Sequence, residues 1–239
     1  MFVSGINFTL LLLFVNGKFR KFIHDAELKW YLWSVIGFTA FIAIVLYYNS
    51  SMGVEEAFRK SLFQVASLHT STGFATADYM TWPSVLWGTL TVIMIIGACA
   101  GSTTGGMKCI RLLILAKISR NEFKHITHPN AVLPVRVNKQ VISPSIRSTV
   151  LAFSFLYAVL IIVGTLAMMG MGVGLLESLG CTISSLGNMG PGLGLCGPAY
   201  SWNELPDMGK WLMSFFMLLG RLELFTVLLL FSSDFWKKN

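Results

Sequence analysis

The distribution of apolar and polar residues along the chain predicts helices in a membrane. Four apolar runs are long enough to cross about 30 Å of hydrocarbon, which takes roughly 20 helical residues. These runs cover residues 28–48, 85–116, 146–171 and 211–231. Two further helical stretches, 54–69 and 174–186, are too short to span. We therefore predict that they enter the membrane and turn back as re-entrant pore helices.

Each short helical stretch leads directly into a polar segment that contains glycine. These segments are 70–74 (TSTGF) and 187–191 (GNMGP). Irregular backbone at membrane depth is tolerated only where protein buries it or where it lines a water-filled path. Two such breaks therefore predict an ion or solute pathway.

The first apolar run, 1–15, is also too short to span. No basic residue precedes it, and Lys18, Arg20 and Lys21 follow it, an order that is wrong for a cleaved signal peptide. Because the polar stretch 4–7 (SGIN) interrupts it, we interpret it as the lower half of a broken membrane helix. On this interpretation the chain begins inside a larger protein.

The composition places the chain in lipid. Hydrophobic residues make up 54%, charged residues 12%, and the mean hydropathy is +0.68. Basic residues concentrate in 17–29, in 117–147 and at Lys237 and Lys238, which predicts a cytoplasmic side that includes the C-terminus. Most acidic residues surround the pore helices on the other side: Glu55, Glu56, Asp78, Glu177, Glu204 and Asp207. We expect this acidic face to attract cations.

The net charge of +7 follows from that asymmetry, so we do not expect nucleic acid as a partner. Aromatic residues do not interleave the basic ones as a nucleic-acid surface would require. The four cysteines, Cys99, Cys109, Cys181 and Cys196, show no CxxC spacing, and we interpret them as small apolar fillers. Structural zinc is not expected.

The two halves of the chain are related by an internal duplication. A shift of 117 positions, the difference between 190 and 73, places Gly190 on Gly73 and residues 178–179 (SL) on 61–62 (SL). Each unit runs membrane helix, pore helix, filter loop, membrane helix. We therefore predict an all-α polytopic membrane protein with tandem potassium-channel-like repeats. In such loops backbone carbonyls replace an ion's hydration shell, and glycine permits the positive φ angles that aim them.

Small and polar residues interrupt the second apolar run at 101–106 (GSTTGG). A phosphate loop would require lysine directly after the last glycine, but Met107 follows Gly106. Close helix packing is an open alternative, because Gly97, Gly101 and Gly105 recur at every fourth position.

Arg221 lies near the centre of the run 211–231. A charge there costs about 2.5–3.5 kcal/mol on insertion scales, so it usually faces the bundle interior and has a partner. We consider two roles: a barrier to cations in the conduction path, or a structural pair with loop carbonyls or a carboxylate such as Glu223. Residues two apart on a helix point to different faces, which disfavours Glu223.

Four motifs together resemble the Trk/Ktr/HKT superfamily of potassium transporters, closest to its TrkH family. They are 69–76 (HTSTGFAT), 97–108 (GACAGSTTGGMK), 184–192 (SSLGNMGPG) and 220–223 (GRLE). The resemblance covers essentially the whole chain. Members have four repeats around one pore, so it implies the end of the second repeat followed by the third and fourth.

The resemblance implies residue roles as well. The potassium filter would use Ser71, Thr72, Gly73, Phe74, Asn188, Met189, Gly190 and Pro191. An intramembrane gate under the filter would use Gly101, Ser102, Thr103, Thr104, Gly105 and Gly106. Arg221 would be the barrier below the filter, and Asp78 lies at the outer mouth, where it is equally well explained as a turn cap. Potassium is then the substrate, and this chain binds no cofactor.

The resulting domain assignment has four parts. Residues 1–27 comprise the end of an upstream repeat and a cytoplasmic linker, 28–118 form the third repeat, 119–141 a basic cytoplasmic loop and 142–239 the fourth repeat. The resemblance implies a homodimer in the lipid of a bacterial inner membrane, missing N-terminal repeats, and a cytosolic nucleotide-binding ring of the TrkA kind. The basic loop is the expected docking surface.

The predicted function is potassium uptake, and no enzymatic activity is expected. One alternative is a secondary transporter whose broken helices bind a small solute, although such folds favour inverted repeats and these units share one orientation. Another is a sodium-permeable member of the same superfamily, since the first-repeat filter glycine thought to decide this is not in the chain. A non-conducting structural subunit is the third.

Overall fold

The computed structural model describes residues 1–50, 52–131, 133–138, 140–222, 224–230 and 236. Within them most residues are helical and sheet is almost absent, which confirms the predicted all-α class. The α-helices are α1 Phe8–Val15, α2 Phe19–Ile23, α3 Ala26–Asn49, α4 Val54–His69, α5 Ser84–Ile95, α6 Cys109–Thr127, α7 Pro144–Gly170, α8 Leu175–Gly187, α9 Asp207–Arg221 and α10 Leu224–Leu230. A short antiparallel hairpin pairs β1 Arg136–Val137 with β2 Gln140–Val141.

Among the described residues, two helices, α3 and α7, are single elements long and apolar enough to cross a membrane. The helices α9 and α10 meet the same test only as a pair, and residues 223 and 231 of that predicted run lie outside the described residues. The predicted run 85–116 consists of α5 and α6 with irregular backbone between them. This break covers 96–108, so it is wider than the predicted 101–106.

The two spanning helices begin at residues that suit a helix N-terminus. Asp25 precedes α3, and its side chain accepts a hydrogen bond from the Leu28 N–H at 2.9 Å. Ser143 precedes α7 and accepts from the Ile146 N–H at 3.3 Å, with Pro144 at the first helical position. Both arrangements satisfy N–H groups that have no acceptor within the helix.

The pore helices α4 and α8 lie inside their units. Helix α4 packs on α3 and α5, while α8 packs on α7 and α9. The two units meet where α5 contacts α8, and Ile183, Met189 and Leu193 of the second unit join the apolar core of the first. This junction places the two glycine-bearing loops, 70–74 and 187–191, which we call the predicted filter loops, next to each other.

The N-terminal segment folds against the break between α5 and α6. It forms a 3₁₀ turn at Phe2–Gly5 and then α1, which Asn7 caps through the Thr9 N–H at 2.8 Å. The Phe8 N–H donates to the Gly101 carbonyl at 3.1 Å, and the Cys99 N–H donates to Gly5 at 3.0 Å. The segment is therefore two short helical pieces separated at residues 6–7.

Candidate functional site

Helix α4 ends in a Schellman motif at the first glycine-bearing loop. The Thr72 N–H donates to the Ser67 carbonyl at 2.9 Å, and the Ser71 N–H donates to Leu68 at 3.1 Å. Ser71 has a φ of 49° and Gly73 a φ of 78°. Left-handed backbone at Ser71 and Gly73, with Thr72 between them, thus turns the chain sharply away from the helix axis.

Helix α8 ends in the same way. The Met189 N–H donates to the Ser184 carbonyl at 3.0 Å, and the Asn188 N–H donates to Ser185 at 3.1 Å. Asn188 has a φ of 51° and Gly190 a φ of 101°. Every one of these positions is 117 residues beyond its counterpart in the first unit, so the duplication extends to individual backbone hydrogen bonds.

The two loops touch each other at Gly73. A Cβ built on Gly73 would lie 2.1 Å from the carbonyl oxygen of Met189. Any side chain at Gly73 would therefore displace the neighbouring loop as well as strain its own backbone. Gly190 has no atom within 4 Å of such a Cβ, so only its φ requires glycine there.

Hydrogen bonds fix several loop carbonyls and side chains. The Phe74 carbonyl accepts from the Ser67 hydroxyl, and the Gly190 carbonyl accepts from the Trp202 ring N–H at 3.0 Å. The Asn188 side-chain amide donates to the Met217 carbonyl of α9 at 3.1 Å. These bonds hold both loops against the surrounding helices.

The ends of α4 and α8 present the negative ends of two helix dipoles to the loops. His69 is the last residue of α4, where it is fully buried and its ring shares a 2.7 Å hydrogen bond with the Ser34 hydroxyl. It therefore packs behind the loop. The electrostatics at this point favour a cation over an anion.

The break between α5 and α6 is a folded-back loop. The Gly97 N–H donates to Met107 at 2.9 Å, and the Met107 N–H donates to the Ile95 carbonyl at 3.2 Å. The Cys109 N–H then donates to Ala98 at 3.0 Å, at the start of α6. The alternative of helix packing through Gly97, Gly101 and Gly105 is therefore wrong, because these glycines do not lie on a helix. We call residues 96–108 the crossing loop.

The crossing loop lies directly against both filter loops. The Gly105 N–H donates to the Ser71 hydroxyl at 3.1 Å. A Cβ on Gly105 would lie 1.9 Å from the carbonyl oxygen of Gly187. Gly105 thus contacts both glycine-bearing loops, and no larger residue would fit there.

Arg221 is the last residue of α9, and its Nη1 donates to the Thr103 carbonyl of the crossing loop at 3.0 Å. This contact is one of the two pairings considered from the sequence; the other, Glu223, lies outside the described residues. Beside it lies a cavity of about 240 Å³. Its lining includes crossing-loop residues 101–106, Lys108, Arg111, Tyr157 and Arg221.

The acidic residues at the predicted outer mouth mostly have nearby partners. Asp78 caps the short turn Tyr79–Thr81 by accepting from the Met80 N–H at 2.9 Å. Acid–base pairs form between Glu55 and Arg59 at 3.0 Å, Glu56 and Lys60 at 2.7 Å, and Asp207 and Lys210 at 3.1 Å. The hydrogen bond from Lys60 lowers the pKa of Glu56. These pairs weaken the cation-attracting field expected from the sequence.

The interpretation of all four cysteines as apolar fillers is wrong for two of them. Cys181 of α8 and Cys196 after the second filter loop form a disulfide, whereas Cys99 and Cys109 are free and buried. Residue spacing alone did not indicate this pair, because the fold brings the two positions together.

Sequence reasoning also missed two buried polar residues next to the loops. The Tyr79 hydroxyl, in the first unit, donates to the Gly192 carbonyl in the second. Glu27 of α3 is 6% exposed and accepts from the Ala100 N–H of the crossing loop at 2.6 Å. A carboxylate at the start of an apolar run was the available signal for Glu27. Among the described residues, no group of three or more His, Cys, Asp or Glu could hold a metal ion.

Comparison with known proteins agrees with this architecture. The family model described as TrkH, cation transport protein, matches residues 1–238. The Trk system potassium uptake proteins TrkH of Halomonas elongata and TrkG of Escherichia coli are each 34% identical to the chain. The matches cover 100% and 98% of this chain, and 49% and 48% of those proteins.

A solved structure gives the same result. The crystal structure of the potassium transporter TrkH from Vibrio parahaemolyticus superposes with a TM-score of 0.91 at 32% identity. The match covers 99% of this chain and 51% of that one, so the chain spans about half the length of the relatives that it matches. The chain belongs to the TrkH family of cation transport proteins.

Proposed function

We propose that this chain supplies two walls of a potassium-conducting filter, as one half of a Trk-type potassium uptake subunit. The observation that carries the proposal is the meeting of two equivalent loops, each after a pore helix, at Gly73 and the Met189 carbonyl. A partly dehydrated cation would be held by backbone oxygens of Ser71–Gly73 and Asn188–Gly190 while the two helix dipoles stabilise its charge. The relatives named as potassium uptake proteins support potassium as the ion.

The alternative of a secondary transporter with inverted repeats is not favoured. The family model described as a cation transport protein matches residues 1–238, and the relatives are named potassium uptake proteins, which favours an ion path over a small-solute site. In this proposal residues 28–118 and 142–239 are the third and fourth repeats, and potassium is a substrate rather than a bound cofactor.

We further propose that the crossing loop is the gate of this path. Its Gly105 contacts both filter loops, so an ion leaving the filter must pass beside it. Arg221 places a positive charge against the same loop through Thr103. Together, the crossing loop and the charge of Arg221 raise the energy of a cation under the filter. Movement of the loop would lower that energy.

The assembly proposed is a homodimer in the bacterial inner membrane, with the C-terminus on the cytoplasmic side. The basic loop 119–141 would dock a TrkA-like nucleotide-binding ring. Exposed Arg120 and Lys124, near the end of α6, support this because an acidic surface could pair with them. Replacing both with glutamate should abolish co-purification of such a ring while leaving the membrane protein folded.

The test of the proposed function is potassium flux into proteoliposomes that contain the purified membrane complex of this chain. Gly190→Asp should abolish flux, because it strains a backbone with a φ of 101° and puts a carboxylate into the filter. Gly53→Asp is the matched control, since Gly53 precedes α4 in open space, at a helix N-cap that aspartate favours. Equal flux from Gly190→Asp and the unaltered complex would refute the proposal.

A further inference from the structure

The start of α3 is in contact with the crossing loop through a single carboxylate oxygen. Oε1 of Glu27 accepts from the Ala100 N–H at 2.6 Å and from the Ile110 N–H at 3.2 Å. Ala100 lies within the crossing loop, and Ile110 lies in the first turn of α6, where N–H groups have no acceptor within the helix. Glu27 therefore ties the loop to the helix that follows it.

The same end of α3 is also in contact with the β1–β2 hairpin. At the turn of this hairpin, Asn138 accepts from the Ala26 N–H at 2.8 Å and donates to the Asp25 carboxylate at 2.6 Å. A third bond of the hairpin runs from Lys117 Nζ of α6 to the Arg136 carbonyl at 2.6 Å. The hairpin thus contacts Asp25 and Ala26, the two residues that precede Glu27.

We propose that Glu27 is the positioning residue of the crossing loop and that the β1–β2 hairpin acts on it through Asn138. This inference rests on the proposed role of the crossing loop as the gate. A partner that moves the hairpin would displace Asp25 and Ala26, and with them the carboxylate that holds Ala100 and Ile110. The basic loop would then control the gate without touching it.

The hydrogen bonds of Glu27 favour two discrete positions of the crossing loop. A buried carboxylate that loses its donors is strongly disfavoured, and charge-assisted bonds are stronger than neutral ones. Intermediate positions that leave Glu27 without donors are therefore costly, and the loop either keeps these bonds or moves to a position with other donors. A loop with two discrete positions can transmit a signal between distant sites. Proximity of the two sites alone would not couple them.

Two native thiols report the position of the crossing loop without any ion flux. Cys99 and Cys109 are buried and free, and each precedes one of the two residues that bond to Glu27. Cys181 and Cys196 do not react while they remain in their disulfide. The experiment is the rate of maleimide labelling of Cys99 and Cys109 in the purified complex, read by mass spectrometry of their peptides.

Glu27→Leu should raise the labelling rate at least tenfold, because the loop loses its acceptor. Glu27→Gln should stay within about threefold of the unaltered protein, since one amide oxygen can still accept both N–H groups. Asn138→Gly keeps the backbone, whose φ of 49° glycine adopts freely, and removes only the side-chain bonds. We expect it to raise labelling severalfold and to change potassium flux in the same samples.

The combined variant tests whether the hairpin acts through Glu27. Adding Asn138→Gly to Glu27→Leu should change labelling by less than twofold beyond Glu27→Leu alone. Independent, multiplying effects would overturn the proposal, as would labelling at the unaltered rate in both Glu27→Leu and Asn138→Gly. Because labelling needs no conduction, failure of the filter proposal would show in Gly190→Asp while this result stands.

Discussion

The pore helices of the two repeated units end with the same backbone geometry. Different contacts hold the loops that follow them. In the second unit a disulfide joins Cys181 of α8 to Cys196 beyond the loop. The positions 117 residues earlier are Gln64 and Tyr79, so the first unit has no cysteines there. Tyr79 instead donates its hydroxyl across to Gly192 of the second unit. The second unit is thus braced within itself, while the first is braced against its neighbour.

This difference teaches that the shared part of the repeat is the part that the proposed filter needs. Left-handed residues at Ser71 and Gly73 recur at Asn188 and Gly190, together with the helix-ending hydrogen bonds. The supports around the loops are free to differ. The helices after the loops also differ, since the crossing loop interrupts the first and Arg221 ends α9 in the second.

The largest expected effect compares Gly73 and Gly190, the glycines of the two proposed filter loops. Gly73→Ala should destabilise the protein more than Gly190→Ala, because only the Cβ at Gly73 meets a carbonyl, that of Met189. Positive φ costs alanine about 1–2 kcal/mol at either site, and overpacking adds about 1–3 kcal/mol at Gly73. Thermal unfolding of the two detergent-solubilised variants measures the difference. Equal loss of stability would contradict the contact between the loops.

The next effect concerns the covalent brace. Replacing Cys181 and Cys196 together with serine should lower the free energy of unfolding by about 3 kcal/mol, the value for a closed loop of roughly 15 residues. Treatment with a reducing agent should reproduce this shift in the unaltered protein and leave the double variant unchanged. A reductant-sensitive double variant would show that the disulfide is not the brace.

Tyr79→Phe tests the brace between units. It removes the hydroxyl and leaves the buried Gly192 carbonyl without that donor, which costs about 1–3 kcal/mol. Tyr47→Phe, at an exposed position of α3, is the control and should change nothing. If the melting temperature of Tyr79→Phe matched that control, the two units would not depend on each other here.

Arg221→Ala should have the smallest effect on stability, because the side chain is exposed and loses one hydrogen bond to Thr103. Its effect on transport should be larger, with faster potassium flux because a positive charge leaves the path. Arg221→Lys keeps the charge and should conduct as slowly as the unaltered protein. Unchanged flux in Arg221→Ala with reduced protein yield would assign the arginine a structural role.

The sequence was sufficient for the elements with strong local signals. Helix α4 begins and ends at the predicted residues 54 and 69, because apolar periodicity and a glycine-bearing turn delimit it. The crossing loop is wider than predicted, since the backbone pairing of Ile96 with Met107 leaves no pattern in the side chains. The Cys181–Cys196 disulfide and the contacts of Glu27 depend on residues that only the folded chain brings together.

The central claim is that both loops line one potassium path, and the potassium-to-sodium flux ratio of two matched variants tests it most directly. Gly73→Ser and Gly190→Ser each place a side chain at the equivalent position of one loop. Measured in proteoliposomes with the purified membrane complex, the ratio should fall in both variants. A ratio that fell in one variant and stayed unaltered in the other would contradict a shared path.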